Sequence, residues 1–271
     1  MGCATTIINS DGTETEKSAP DKEKIAALYT SAALEYDKIG SYQLGLARTD
    51  LALSYDDSQG RTYMARGIIL SHLSDNKEAE KNFMIAMEKS PNDGEITTSY
   101  ADFLCQNKQY KEALVYYNKS INNKLYSSRQ TAKFNLGQCY LQQRYYAYAN
   151  LLFLDVATTA PKYSTETNLK LAETYYYLNK RELAQYYFSK YRGGYSLNYW
   201  LVSLLMLKYS PVNQDTALQK YRIKQNVIIN YPLSSEAKIF LSEGVVPPVT
   251  TKDVDSTVKT SNYITLQPNN N

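Results

Sequence analysis

The sequence predicts an all-α superhelix of about six helix-turn-helix repeats, and three observations carry that prediction. A small residue followed three positions later by a large apolar one occurs at Ala33/Tyr36, Gly67/Leu70, Ala101/Leu104, Gly137/Tyr140 and Ala172/Tyr175, with spacings of 34, 34, 36 and 35 residues. A second small residue stands 12 positions after each, at Gly45, Ala79, Ala113, Ala149 and Ala184, and Ala217 extends the series. Gly and Pro are scarce, 11 and 8 in 271 residues, which leaves few turn-makers for a protein of many short strands. A fixed period of roughly 20–50 residues is the mark of stacked repeats, each unable to bury its apolar face alone.

Each predicted element follows from that register. One helical turn after the second small residue stand Phe83, Tyr117, Phe153, Phe188 and Tyr221. Small residues let two helix backbones approach, and the bulky residue a turn away fills the gap beside the contact. Between the helices of a pair lie polar turns such as Ser74-Asp75-Asn76-Lys77 and Gln106-Asn107-Lys108-Gln109. Pro91 and Pro161 close the second helices of their repeats, because proline cannot continue a helix. Gly193-Gly194 is expected to stop the second helix of repeat five with left-handed backbone, and Trp200 to pack between repeats five and six.

The pattern resembles the tetratricopeptide repeat (TPR), whose 34-residue unit carries an Ala or Gly in each helix, an aromatic in the second and a terminal Pro. Residues 60–93 match best, with Tyr63, Gly67, Leu70, Ala79, Phe83, Ala86 and Pro91 in register. The repeats run at about 26–59, 60–93, 94–129, 130–164, 165–197 and 198–231. Thr49 replaces the second-helix aromatic of repeat one, and Lys208 the first-helix one of repeat six. Worn ends fit terminal repeats, which have one face in solvent. The repeat body is thus 22–243, between a leader of residues 1–21 and a tail of 244–271. Both flanks are rich in Thr, Ser, Asn, Asp and Pro without apolar period, so both are expected to be disordered.

Composition narrows function. The net charge is +3, too balanced for a charge-driven nucleic-acid binder. The tyrosine runs Tyr116-Tyr117, Tyr145-Tyr146-Ala147-Tyr148, Tyr175-Tyr176-Tyr177 and Tyr186-Tyr187 could stack single-stranded bases. One tyrosine in each run already sits at a packing position or beside it, so core and interface use is the expectation. Cys3, Cys105 and Cys139 and the single His72 are too few and scattered for a zinc cluster, and no second histidine supports nucleophilic catalysis. No metal, no cofactor and no enzyme activity are expected. His72 reads as a solvated residue at a helix end. First helices of successive repeats are expected about 9–10 Å apart, so Cys105 and Cys139 are expected as free, partly buried thiols.

Met1-Gly2-Cys3-Ala4-Thr5-Thr6 reads in three ways. Gly-Cys before a polar spacer resembles the end of a bacterial lipobox, with Cys3 acylated. Met-Gly-x-x-x-Thr fits Gly2 myristoylation with Cys3 open to palmitate. The third reading is an ordinary start with an incidental cysteine.

In its order of parts, a lipidated Cys, a polar leader and six repeats, the chain is similar to the type IV pilus biogenesis and stability lipoproteins, the PilF/PilW family of outer-membrane pilotins. The likeness covers about residues 26–243 and is carried locally by Gln43-Leu44-Gly45-Leu46, Tyr100-Ala101-Asp102-Phe103-Leu104-Cys105 and Phe134-Asn135-Leu136-Gly137. Tyr100–Leu104 resembles the family's N-Y-G-x-F-L segment, with Ser99 and Ala101 in place of Asn and Gly. The likeness implies a monomeric scaffold at the periplasmic face of the outer membrane, anchored through lipid on Cys3, that binds the pilus secretin and promotes its localisation and multimerisation. Ala4 after Cys3 fits outer-membrane sorting. As coil, the leader of residues 4–21 would reach on the order of 23 Å.

In TPR stacks the first helices line a concave groove. Projecting the period places Thr30, Leu34, Asp37, Arg61, Met64, Ile68, Ser71, Thr98 and Asp102 on it, followed by Phe134, Gln138, Leu141, Leu169, Glu173 and Tyr176. Leu34, Met64 and Ile68 form an apolar patch of the kind that marks partner sites. Two alternatives keep the repeats and change the client: another lipidated periplasmic TPR scaffold, or a soluble cytosolic TPR adaptor. A basic clamp is not continuous, since Arg61 and Arg66 are followed by Glu95 and Asp102.

Overall fold

A computed structural model describes residues 5–8, 14–17 and 21–245. Helix pairs follow one another along the chain. They are α1 (Lys22–Lys38) with α2 (Tyr42–Tyr55), α3 (Gly60–His72) with α4 (Asn76–Lys89), and α5 (Gly94–Gln106) with α6 (Tyr110–Asn122). Next come α7 (Arg129–Gln142) with α8 (Tyr146–Thr159), α9 (Ser164–Tyr177) with α10 (Arg181–Ser189), and α11 (Leu197–Met206) with α12 (Gln214–Asn230). A last helix, α13 (Ser235–Ser242), packs on α12. First helices also pack on the first helix of the next repeat, α1 on α3, α3 on α5, α5 on α7 and α9 on α11.

The small residues sit where two backbones meet. Ala33, Ala79, Ala101, Ala113, Ala149, Ala172 and Ala184 are fully buried, with Phe83, Tyr117 and Phe153 packed beside them. Among the register glycines Gly45, Gly67 and Gly137 the last is the tightest, and a Cβ there would lie 2.7 Å from the Phe153 ring. The core runs as two clusters, one centred on α3–α6 and one on α8–α11.

The turns inside the pairs repeat a device that the sequence hides. Gly40, Ser74, Lys108, Arg144 and Asn179 all take left-handed backbone, with φ from 62° to 75°, and they recur at the repeat spacing. In each turn the next residue's N–H reaches back to the large residue of the first-helix pair. Ser41 donates to Tyr36 O, Asp75 to Leu70 O, Gln109 to Leu104 O, Tyr145 to Tyr140 O and Lys180 to Tyr175 O, at 2.8–2.9 Å. This closes the helix carbonyls that would otherwise be unpaired. Aspartate side chains cap the first turns of three helices, Asp21 at α1, Asp75 at α4 and Asp93 at α5.

The ends differ from the middle. Thr5–Ile8 pairs antiparallel with Glu14–Lys17, Thr5 opposite Lys17. A run of Thr and Ile favours extended backbone, so part of the leader is a ribbon where composition pointed to coil; such a ribbon is marginal on its own. Cys3, the remainder of the leader and residues 246–271 lie outside the described residues. The sixth pair is splayed: Ala217 is exposed, and an apolar cleft of about 440 Å³ opens between α11 and α12 beside Leu205 and Val212. Gly193 and Gly194 are not left-handed, which corrects their expected role. Helix α10 stops earlier, at Ser189, and a Cβ on Gly193 would lie 2.4 Å from the Tyr191 hydroxyl. Trp200 stacks on Tyr195 with ring centres 5.2 Å apart.

Phe153→Ala should cost roughly 3–5 kcal/mol through the cavity it leaves, read as a lowered urea midpoint. Lys108→Gly should raise that midpoint. Relief of a left-handed side-chain conformation, about 1–2 kcal/mol, exceeds the added entropy of glycine, roughly 0.5–1 kcal/mol.

Candidate functional site

Three positions of the repeat register face the concave side, two before, one after and five after the first small residue. The row one after reads Leu34, Ile68, Asp102, Gln138 and Glu173; the row five after reads Lys38, His72, Gln106, Gln142 and Tyr177. Two before, repeats four and five carry Asn135 and Lys170. The row one after therefore begins aliphatic and turns polar, while the row five after begins with Lys38 and His72 and turns to amides.

Three adjoining cavities trace this track. The first, about 120 Å³, lies between α3 and α5 and is lined by Ile68, Ser71, His72 and Asp102 among others. The second, about 220 Å³, lies between α5 and α7 and shares Asp102 and Gln106 with the first. The third, about 310 Å³, lies between α7 and α9 and shares Gln138 and Gln142 with the second, adding Arg144, Lys170 and Glu173.

Asp102 is the hub. The Tyr117 hydroxyl donates to its Oδ1 at 2.5 Å and the Asn135 amide donates to its Oδ2 at 2.8 Å. Three helices thus meet on one carboxyl group: α5 carries it, α6 and α7 supply the donors. Burial pushes its pKa up to about 7, against the two hydrogen bonds, which pull it down. The Tyr117 hydroxyl is pushed above the ordinary phenol range by burial and by the Asp102 charge. Further along, Lys170 is buried and its ammonium donates to Glu173 at 3.1 Å. At the other end, His72 Nδ1 lies 2.6 Å from Asp37 Oδ1, linking α3 to α1.

Beside Asp102, Cys105 and Cys139 form a disulfide with Cα atoms 6.0 Å apart, which corrects the expectation of free thiols. That expectation used the distance between helix axes. Facing Cα atoms lie about 2.3 Å inside each axis, so axes about 9–10 Å apart bring them to roughly 5 Å.

The projected groove residues divide. Ile68, Ser71 and Asp102 line cavities, and Leu34 and Asp37 are partly exposed. Thr30, Met64 and Thr98 are not surface residues, at 7%, 2% and 4% exposure. Thr30 meets Thr62 at 2.8 Å across the α1–α3 contact, the Thr98 hydroxyl donates to Gly94 O, and Met64 lies in the core. First helices bury two faces, one on their own partner and one on the next repeat, and a one-stripe projection misses the second. The patch of Leu34, Met64 and Ile68 accordingly loses its central member. Arg61 sits at the start of α3 and is spent on Asp93 at 2.8 Å and Glu95 at 3.1 Å. Among the later projections, Gln138, Leu141 and Glu173 line the third cavity, whereas Leu169 is fully buried. Gln106, Asn135, Gln142 and Lys170 were not projected, though the three register rows contain them.

The tyrosine runs divide as well. Tyr117 and Tyr175 are buried, while Tyr145, Tyr148, Tyr177 and Tyr186 are exposed, Tyr148 stacked on Tyr140, Tyr177 on Tyr146, and Tyr145 and Tyr186 edge-on to neighbouring rings.

No described family profile and no curated protein sequence matches the chain. Solved structures do. PilW, a widely conserved type IV pilus biogenesis factor, is similar over 80% of this chain and 99% of its own, at 23% identity and a TM-score of 0.62. The fold is that of the tetratricopeptide repeat. PilF of Pseudomonas aeruginosa is similar over 82% of this chain and 99% of its own, at 21% identity and a TM-score of 0.61. A TPR protein of Parabacteroides merdae aligns over 80% of this chain and 84% of its own, at 15% identity and a TM-score of 0.60. The TPR architecture gives the concave track its meaning as a surface: side chains held on rigid first helices, open along their length. Among the described residues no group of three or more His, Cys, Asp or Glu is placed to hold a metal ion, and no helix is long and apolar enough to cross a membrane.

Two predictions follow from the hub. The disulfide closes a segment of 34 residues, so Cys105→Ala with Cys139→Ala should cost about 3–4 kcal/mol by chain entropy, and reduction of the wild type should shift its melting temperature down alike. Because its folded pKa is raised, Asp102 favours the native state most below its unfolded value of roughly 4, and that contribution is lost as the pH rises through about 7. Urea titrations between pH 4 and 7 should show stability falling by at most about 1.4 kcal/mol per pH unit from this group, a slope that Asp102→Asn removes.

Proposed function

We propose that this chain is a non-enzymatic scaffold of type IV pilus biogenesis, anchored at the periplasmic face of the outer membrane through lipid on Cys3, whose concave groove holds an extended segment of the pilus secretin. The observation that carries the groove assignment is the continuous track from Ile68 through Asp102 and Gln138 to Glu173, open cavities joined end to end by shared residues. Amide side chains with both donors and acceptors suit the backbone of an extended polypeptide. Support for the pilus assignment comes from the likeness to PilW and PilF, each covered along nearly its whole length. The scaffold would hold one secretin subunit, shield its apolar segments and bring it to the membrane, where lipid chains on Cys3 make the attachment durable.

The Cys105–Cys139 disulfide favours an oxidising compartment over the cytosol, and so favours this reading over a cytosolic adaptor. Another lipidated TPR scaffold with a different client is the second reading, favoured by the near-equal likeness to the Parabacteroides merdae protein.

Fractionation and intact-mass analysis of the native product beside Cys3→Ala test the anchor. The expected result is a lipid-sized mass increment and outer-membrane residence, both lost in the variant. Pull-down from solubilised membranes tests the client: wild type should retain the secretin, and Gln138→Trp, which fills the groove, should lose most of it while keeping its helicity.

A further inference from the structure

Asp102 differs from most charged groups of the groove, although Arg144 of the third cavity is likewise in no ion pair among the described residues. His72 has Asp37, Lys170 has Glu173, and Arg61 has Asp93 and Glu95. Asp102 is in none of the ion pairs among the described residues. It is also the one carboxylate lining the two cavities it joins. Its two hydrogen bonds use one acceptor site on each oxygen, and a carboxylate has about four. An ionised carboxylate enclosed without a counter-charge is costly, and the enclosure opens onto the α5–α7 cavity of about 220 Å³. The rest of that cavity is neutral: Tyr117, Asn135, the glutamines and the disulfide. An anion would meet a carboxylate and no cation there, whereas a cation would complete the site.

We infer that the α5–α7 cavity receives the ammonium or guanidinium group of a lysine or arginine on an extended segment of a protein partner, with Asp102 as its counter-charge and Gln106, Gln138 and Gln142 holding the backbone on either side. This rests on the groove reading above and narrows it to a basic anchor residue. The titratable groups around Asp102 are His72 of α3 across the adjoining cavity, Tyr117 of α6, and Tyr126 on the link to α7, whose phenol feels its charge. Helix α7 contributes Asn135 and no charge to the cavity. Binding of a cation requires the ionised carboxylate, so affinity rises with pH across neutrality, as the pKa of about 7 at Asp102 sets it.

The test is selection of displayed random twelve-residue peptides on the full chain at pH 8, followed by affinity measurement with synthetic copies. Peptides that bind wild type and lose at least tenfold on Gln138→Trp occupy the groove. Expected among these is one fixed lysine or arginine, whose replacement by norleucine weakens binding at least tenfold. Affinity for wild type should be at least fivefold higher at pH 8 than at pH 5.5. Asp102→Asn should weaken binding to the level of the norleucine peptide and abolish the pH effect, whereas His72→Gln should keep it. Groove-bound peptides without a fixed basic residue, or with undiminished affinity for Asp102→Asn, overturn the inference and leave the groove reading standing. Selected peptides that all ignore Gln138→Trp overturn both. The norleucine comparison is made on wild-type protein and holds whether or not Asp102→Asn folds.

Discussion

The contact on which this structure depends is the close approach of two helix backbones at paired small residues, with an aromatic ring wedged one turn away. The small-residue pairs recur from Ala33 to Ala184 at the repeat spacing, with a ring beside each pair but the first, where Thr49 stands. Where it is complete, as at Gly137, Ala149 and Phe153, the ring meets the glycine without room for a methyl group. In the sixth pair the stack opens. Ala217 is exposed in the sixth pair, and α11 and α12 part around an apolar cleft.

The groove is a by-product of the same register. First helices held at fixed spacing on one side present the same three positions from repeat to repeat, so the concave surface can be varied residue by residue without disturbing the packing. The variation runs along the chain from Leu34 and Ile68 to amides and then to Lys170 and Glu173. At its midpoint a half-buried carboxylate ties α5, α6 and α7 together through Tyr117 and Asn135, next to a covalent tie between α5 and α7. The middle of the groove is accordingly its most constrained part, and a preformed site there would lose little entropy on binding.

Most of the fold was legible because small-residue contacts leave a period in the sequence. The left-handed turn residues were not, since Gly40, Ser74, Lys108, Arg144 and Asn179 share a conformation and no chemistry. The site was legible in part. Ile68, Ser71, Asp102, Gln138 and Glu173 follow from the register, but Met64, Thr30 and Thr98 were placed on the surface by a projection that counted one buried face per helix. The Asp102–Tyr117–Asn135 triad joins residues 15 and 33 positions apart, and no sequence period announces a hydrogen bond between unlike positions. The disulfide was missed because axis separation was used for a contact made inside the axes.

The most direct test of the central claim, that the concave groove is where the pilus partner binds, is site-specific photocrosslinking in cells that make the pilus. A photoreactive residue at Gln138 probes the groove, and one at the exposed Leu151 of α8 probes the second-helix side. The account predicts a secretin adduct from Gln138 and none from Leu151. An adduct from Leu151 with none from Gln138 would contradict it.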